Sequence, residues 1–330
     1  MTLYWRESLP LNERSVYDSI YQAIKNKQNE VTIPHTSDKR MLELYLMILD
    51  DHPELFYVHP SFGFANGFMK SQIFLSYYDN ANNEQQVINY IDQVTIHLIN
   101  NLKAVKDDYQ KIVRILNFLS MKIDYEIDSD NNQNLATAMC NGKAQCSGYS
   151  RTFKYLADKL GIWCICVYGD YVNNNQRTPH EWNIVKVNQE YYHLDVTSAC
   201  CSSKAHNKHV QNYQLLFNDD EIKARNYNWK FNTTPKCTKR LIVDINGSIR
   251  VNDESNIFNN FYDLRNFLKK SMENRETIIS FLVNITTYSP EKITEMVKKE
   301  IEKTLASLKI RYTMKIQIQG QNYILNMMYS

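Results

Sequence analysis

No apolar run in the 330-residue sequence approaches the roughly 20 residues a helix needs to cross a bilayer. The opening stretch, MTLYWRESLPLNERS, has neither an apolar signal segment nor a small-residue cleavage site. A cytoplasmic protein with no membrane partner is therefore expected. Dense basic blocks are missing too. With 38 basic and 36 acidic residues the net charge is only +2, which lacks the electrostatic footprint of a nucleic-acid binder. No acidic loop has calcium-ligand spacing, no internal repeat appears, and no cofactor is implied. The seven cysteines form an odd set without a secretory signal, so free thiols are expected rather than a disulfide framework.

What is present is ample apolar material, 43% of the residues, enough for two or three domains. Apolar spacing of three and four predicts helices over 11–27, 37–51, 84–102 and 107–122, with Asp107 as an N-cap. Short extended pieces are expected at 30–34, 55–58 and 71–78. After a polar loop over 128–134, a helix beginning near Cys146 and ending at a left-handed Gly161 is followed by strands at 162–168, 181–187 and 191–196. The last two form a tight hairpin through Asn188, Gln189 and Glu190. Beyond Pro235 a hairpin through Asn246-Gly247, two helices and three more strands predict a separate small α/β unit. The expected organisation is a mainly helical region over 1–104, an α+β core over 105–235 and the α/β domain over 236–330.

The stretch GKAQCSGYSR, residues 142–151, sets Cys146 in the first turn of its helix. Unpaired N–H groups and the positive end of the helix dipole favour a thiolate there. A thiolate nucleophile needs an imidazole partner, and the imidazole needs a group to orient it. His180 opens one strand of the hairpin and Asp195 closes the other, near the same end of the ribbon. Cys146, His180 and Asp195 are the candidate catalytic residues. Cys200, Cys201, His206 and His209 also cluster, but adjacent cysteines are poorly spaced for one tetrahedral ion, and no metal is expected. Cys164 and Cys166 share one face of a strand and are read as buried apolar groups. Trp182 and Tyr149 are read as packing residues, Asn183 as a local hydrogen-bond former and His193 as a core or rim histidine.

The words GKAQCSGYS, HEWN and YYHLDVT, in that order and spacing, resemble the transglutaminase-like superfamily of papain-like fold, particularly its bacterial members. The resemblance covers roughly residues 105–232. It implies that Cys146 is the nucleophile, His180 its partner and Asp195 the orienting carboxylate. By analogy with papain-like enzymes, Gln133 is a candidate second oxyanion donor beside the Cys146 N–H. The implied function is a thiol-dependent acyl-transfer enzyme, acting on peptide or glutamine carboxamide bonds through a thioester, with amine transfer or hydrolysis as its outcome. Its expected partner is a protein or peptide substrate. The alternative is a non-catalytic binding module that keeps the fold. The sequence assigns neither the acyl acceptor, the oligomeric state nor the task of residues 236–330.

Overall fold

The computed structural model describes all residues except 1, 128–132, 174–175, 206–209, 211–214, 231–232, 244–248, 253–256, 277, 284, 286, 309–311, 320–321 and 330. The expected Asn246-Gly247 turn, Gly320 and most of the 128–134 loop therefore lie outside the described residues. The chain divides into two compact units, Met1–Thr238 and Lys239–Ser330.

In the first unit, α1 (Tyr4–Ser8), α2 (Leu11–Lys25), β1 (Glu30–Pro34) and α3 (Asp38–Asp51) precede β2 (Gly63–Asn66) and β3 (Lys70–Phe74). The β1-β3-β2 sheet is antiparallel throughout. Residues 55–58, expected as a strand, instead turn, and only Val58 bridges to Tyr77. Their side chains are all buried, so the apolar run signalled burial without extension. Next come α4 (Glu84–Lys103) and α5 (Asp108–Lys122). Asp107 caps α5 by accepting the Tyr109 N–H at 2.9 Å.

A two-residue strand β4 (Asp124–Tyr125) pairs in parallel with β5 (Lys143–Ala144), which leads into α6 (Cys146–Lys159). Then follow β6 (Cys164–Asn173), β7 (Gln176–Val187), β8 (Glu190–Leu194), α7 (Val196–Ala205), α8 (Asp219–Ala224) and β9 (Tyr227–Trp229). The four strands form an antiparallel sheet of order β8-β7-β6-β9. The β7–β8 turn places Asn188 and Gln189 at φ of 51° and 68°, both left-handed, as a type I′ hairpin requires. The turn locks the register, pairing Asn183 with Leu194.

α6 is stitched to this sheet as well as packed on it. Ser150 Oγ donates to the Glu181 carbonyl at 2.9 Å, and Asn183 Nδ2 donates to the Ser150 carbonyl at 3.1 Å. Tyr149, Phe153, Leu156 and Ala157 are fully buried on the helix's inner side. The N-terminal elements close on the same core: Trp5 Nε1–H donates to the Cys166 carbonyl at 3.1 Å.

The second unit begins with the hairpin β10 (Arg240–Val243) and β11 (Ile249–Asn252). β12 (Ile257–Phe258), α9 (Phe261–Glu273), β13 (Ile278–Val283), α10 (Pro290–Leu308), β14 (Tyr312–Gln319) and β15 (Asn322–Tyr329) complete it. Its sheet runs β12-β13-β15-β14, and Leu264, Leu268, Phe281, Val297, Ile301 and Leu325 form one apolar core with the helices. The molecule is α+β, and among the described residues no helix is long and apolar enough to cross a membrane.

Candidate active site

Gly142 makes the approach to Cys146 possible. It ends a π-helical turn, Thr137–Asn141, at a φ of 70°, where a side chain would be strained. Gln145 then takes extended backbone angles as the N-cap, its carbonyl accepting the Tyr149 N–H at 3.1 Å. Cys146 is the first residue of α6, and no side chain of the N-cap covers the opening turn. Its backbone N–H is thus one of the helix's four donors without an intrahelical acceptor.

β7 and β8 bring the other two groups together. His180 and Trp182 alternate on one face of β7, and the β8 register carries Asp195 to the same face. His180 Nε2 lies 2.9 Å from Asp195 Oδ2, which leaves Nδ1 as the nitrogen for the thiol. Asp195 is held in turn: its Oδ1 accepts the Ser198 N–H at 2.9 Å in the first turn of α7, and the Tyr227 hydroxyl donates to Oδ2.

Charge follows this geometry. Burial opposes an imidazolium at His180, yet hydrogen bonding to Asp195 and to the Cys146 side chain, with their negative charge, outweighs it and raises the ring to about 10. Burial likewise opposes ionisation of Asp195, but His180, Ser198 and Tyr227 hold its carboxyl below the usual range. The Tyr125 phenol lies at the rim, where burial and then the charges of Cys146, Cys201 and Asp195 push it upward.

Sequence reasoning missed two supports of this arrangement. Tyr227 is one: its ring also meets the His180 ring edge-on at 5.6 Å and Trp182 at 5.3 Å. Only the β6–β9 pairing brings it there, and no local pattern announces a three-residue strand. A buried ion cluster is the other. Arg151, from the helix that carries Cys146, donates to Asp50 at 2.8 Å and to Glu181 at 3.2 Å. Glu181 adjoins His180, so this cluster ties the helix of the thiol to the strand of the imidazole. Burial, and then the nearby Glu181, raise Asp50 well above the carboxylate range. Charged residues are usually exposed, so their burial here is invisible in composition.

Trp182 is fully buried, and a special backbone approach makes room for it. A Cβ at Gly169 would stand 2.2 Å from the Asn228 carbonyl oxygen and 2.7 Å from the Trp182 ring. Asn183 donates to backbone carbonyls, Tyr149 donates its hydroxyl to the Ile123 carbonyl, and Cys164 and Cys166 are wholly buried. Gln133 sits in the turn that precedes the π-helical segment. Its carbonyl accepts from Arg151 at 3.4 Å, and it lines a small cavity with Leu49, His52, Phe56 and Tyr78 that no triad residue borders.

Metal-binding atoms meet in two places among the described residues: at Asp50, Cys166 and Glu181, and at His193, Asp219 and Cys237. In the first, Arg151 already supplies the positive charge. In the second, both His193 nitrogens are engaged by Trp182 and Asp219, and burial pushes the Cys237 thiol up, away from the thiolate a metal would need. Of the sequence cluster, Cys200 is buried with its thiol on the Leu116 carbonyl, and His206 and His209 lie outside the described residues.

Comparison with known proteins agrees with the core. Residues 96–196 match the family model described as the transglutaminase-like superfamily, a span that contains Cys146, His180 and Asp195. Among solved structures, a TGase is 15% identical at a TM-score of 0.28, covering 51% of this chain and 50% of its own. A candidate cysteine protease from Cytophaga hutchinsonii is 12% identical at a TM-score of 0.28, covering 40% of this chain and 55% of its own. The present chain thus spans about half the length of these structures. No curated protein matches it. Residues 96–196 thus form a transglutaminase-like core.

Proposed function

We propose that this protein is a thiol-dependent acyl-transfer enzyme in which Cys146, His180 and Asp195 form the catalytic triad. The observation that carries the reading is the placement of His180 between the Asp195 carboxylate and the Cys146 side chain. In the reaction, the Cys146 thiolate attacks the carbonyl carbon of a peptide or glutamine carboxamide. Negative charge builds on the carbonyl oxygen, where the Cys146 N–H at the helix start stabilises it. His180 then gives its proton to the leaving nitrogen, the C–N bond breaks, and a thioester remains on Cys146. Water or a primary amine completes the turnover after His180, now neutral, takes its proton. Asp195 keeps the ring oriented throughout.

Gln133 is the candidate second oxyanion donor, and Gln133→Ala tests it directly. Peptide or protein is the proposed substrate, and the cytoplasm the proposed compartment. The deciding experiment incubates the protein with glutamine-containing peptides, with and without a labelled primary amine, and reads product masses. Amine incorporation identifies a transferase, and free acid a hydrolase or deamidase. Loss of both products in Cys146→Ala is expected, whereas unchanged turnover in that variant overturns the proposal.

A further inference from the structure

A second histidine–carboxylate pair lies behind the first on the same sheet face. Trp182 donates its indole N–H to His193 Nδ1 at 3.0 Å, and His193 Nε2 meets Asp219 Oδ1 at 2.9 Å. Asp219 is anchored in both directions to Cys237, accepting its N–H at 3.2 Å and donating its own N–H to the Cys237 carbonyl at 2.8 Å. His193 is itself fixed by paired backbone hydrogen bonds with Phe217, at 2.8 and 3.0 Å. Trp182 and His193 are both 0% exposed, so the bond between them is shielded from water. The Trp182 ring also stacks with His180, with ring centroids 6.1 Å apart and planes inclined by 20°.

We propose that His193 and Asp219 are positioning residues for the Cys146–His180 reaction: they hold Trp182 as the fixed wall against which the His180 ring stands. The inference rests on the triad reading given above. Its physical basis is the chemistry of indole, which has one N–H and no acceptor. Nδ1 of His193 must therefore carry a lone pair and Nε2 the proton, which Asp219 accepts. One tautomer is selected, and every donor in the chain has its acceptor. Trp229, 4.8 Å from His193, and Tyr227, at right angles to Trp182, close the remaining sides. Without the His193 acceptor, the buried indole N–H is left unpaired and the ring must shift to find another. Any such shift moves the surface against which His180 is set. Supporting groups of this kind act on reactivity through orientation, and their loss is typically felt as about 10- to 100-fold in activity.

The test compares His193→Leu, which removes the acceptor, with His193→Asn, whose side-chain carbonyl can still accept from the indole. Three readouts are taken: the Trp182 indole N–H by NMR and hydrogen exchange, the pH dependence of Cys146 alkylation, and the split between kcat and KM. In His193→Leu we expect loss of Trp182 N–H protection, an alkylation profile whose alkaline limit moves to lower pH, and kcat reduced about tenfold with KM within about twofold. His193→Asn should restore most of each. A folded His193→Leu protein with an unchanged alkylation profile overturns the proposal. If His193→Leu does not fold, His193→Asn carries the test, and loss as complete as in Trp182→Phe overturns it. The NMR and alkylation readouts need no substrate, so failure of the positioning role is distinguishable from failure of the enzyme reading, which would appear as no turnover despite a normal wild-type profile.

Discussion

His180–Asp195 and His193–Asp219 are two pairs of the same residues, each joined at 2.9 Å, yet their imidazoles behave in opposite ways. His180 is raised to about 10, whereas His193 is lowered, burial leading and Lys223 adding to it against the pull of Asp219. A carboxylate alone therefore does not determine the charge of a histidine. Burial and the other neighbours set the balance: at His180 the Cys146 side chain adds to Asp195 in outweighing burial, whereas at His193 burial and Lys223 prevail. The second ring nitrogen of His193 faces an indole that can only donate. The first pair is suited to move a proton, the second to hold a ring still.

The largest expected effect breaks the symmetry between the two carboxylates. Asp195→Asn should lower kcat by about 10²- to 10⁴-fold, because the ring loses the partner that orients and charges it. Asp219→Asn should cost far less, about tenfold or below, since it supports the site only through His193 and Trp182. Equal losses would show that the pairs do not differ in role. Next comes Tyr227→Phe, which removes one hydroxyl from Asp195 and leaves the Ser198 N–H in place. A loss of about tenfold in kcat is expected, the worth of one hydrogen bond to a charged group.

Stability gives a contrast of sign. Folding raises His180 above the ordinary 6.5, so its contribution is fully present below that value and is lost as pH rises through about 10. His193 is lowered on folding, so it removes stability as pH falls below the same 6.5. Melting temperatures should therefore decline in both directions from neutrality, with His180→Gln flattening the alkaline side and His193→Asn the acid side. A smaller effect is expected at Gly169→Ala, where the added methyl meets Asn228 and Trp182: about 1–3 kcal/mol of stability, read by urea unfolding.

Much of this site was legible because its parts are local words. A cysteine between a glycine turn and an apolar helix, and a histidine and aspartate at matching ends of a hairpin, depend only on nearby sequence. The Asp107 cap and the Asn188-Gln189 turn were legible for the same reason. Residues that act across long separations were not. Tyr227 reaches Asp195 only through a short edge strand, and Arg151 finds Asp50 from 101 positions away. The sequence reads His193 as a satisfied core or rim histidine, and it is wholly buried and satisfied; what sequence could not supply was the identity of its partners. The helix α7, directly after Asp195, also went unseen, its run of small residues, serines and cysteines carrying weak helical periodicity.

The central claim is that Cys146 becomes acylated with His180 as its proton partner. Rapid acid quench of the protein with a glutamine-containing peptide, followed by mass mapping of the seven cysteines, tests it most directly. A thioester confined to Cys146, absent in Cys146→Ala and strongly diminished in His180→Gln, is the predicted result. An adduct on another cysteine, or one that forms as fast without His180, would contradict the account.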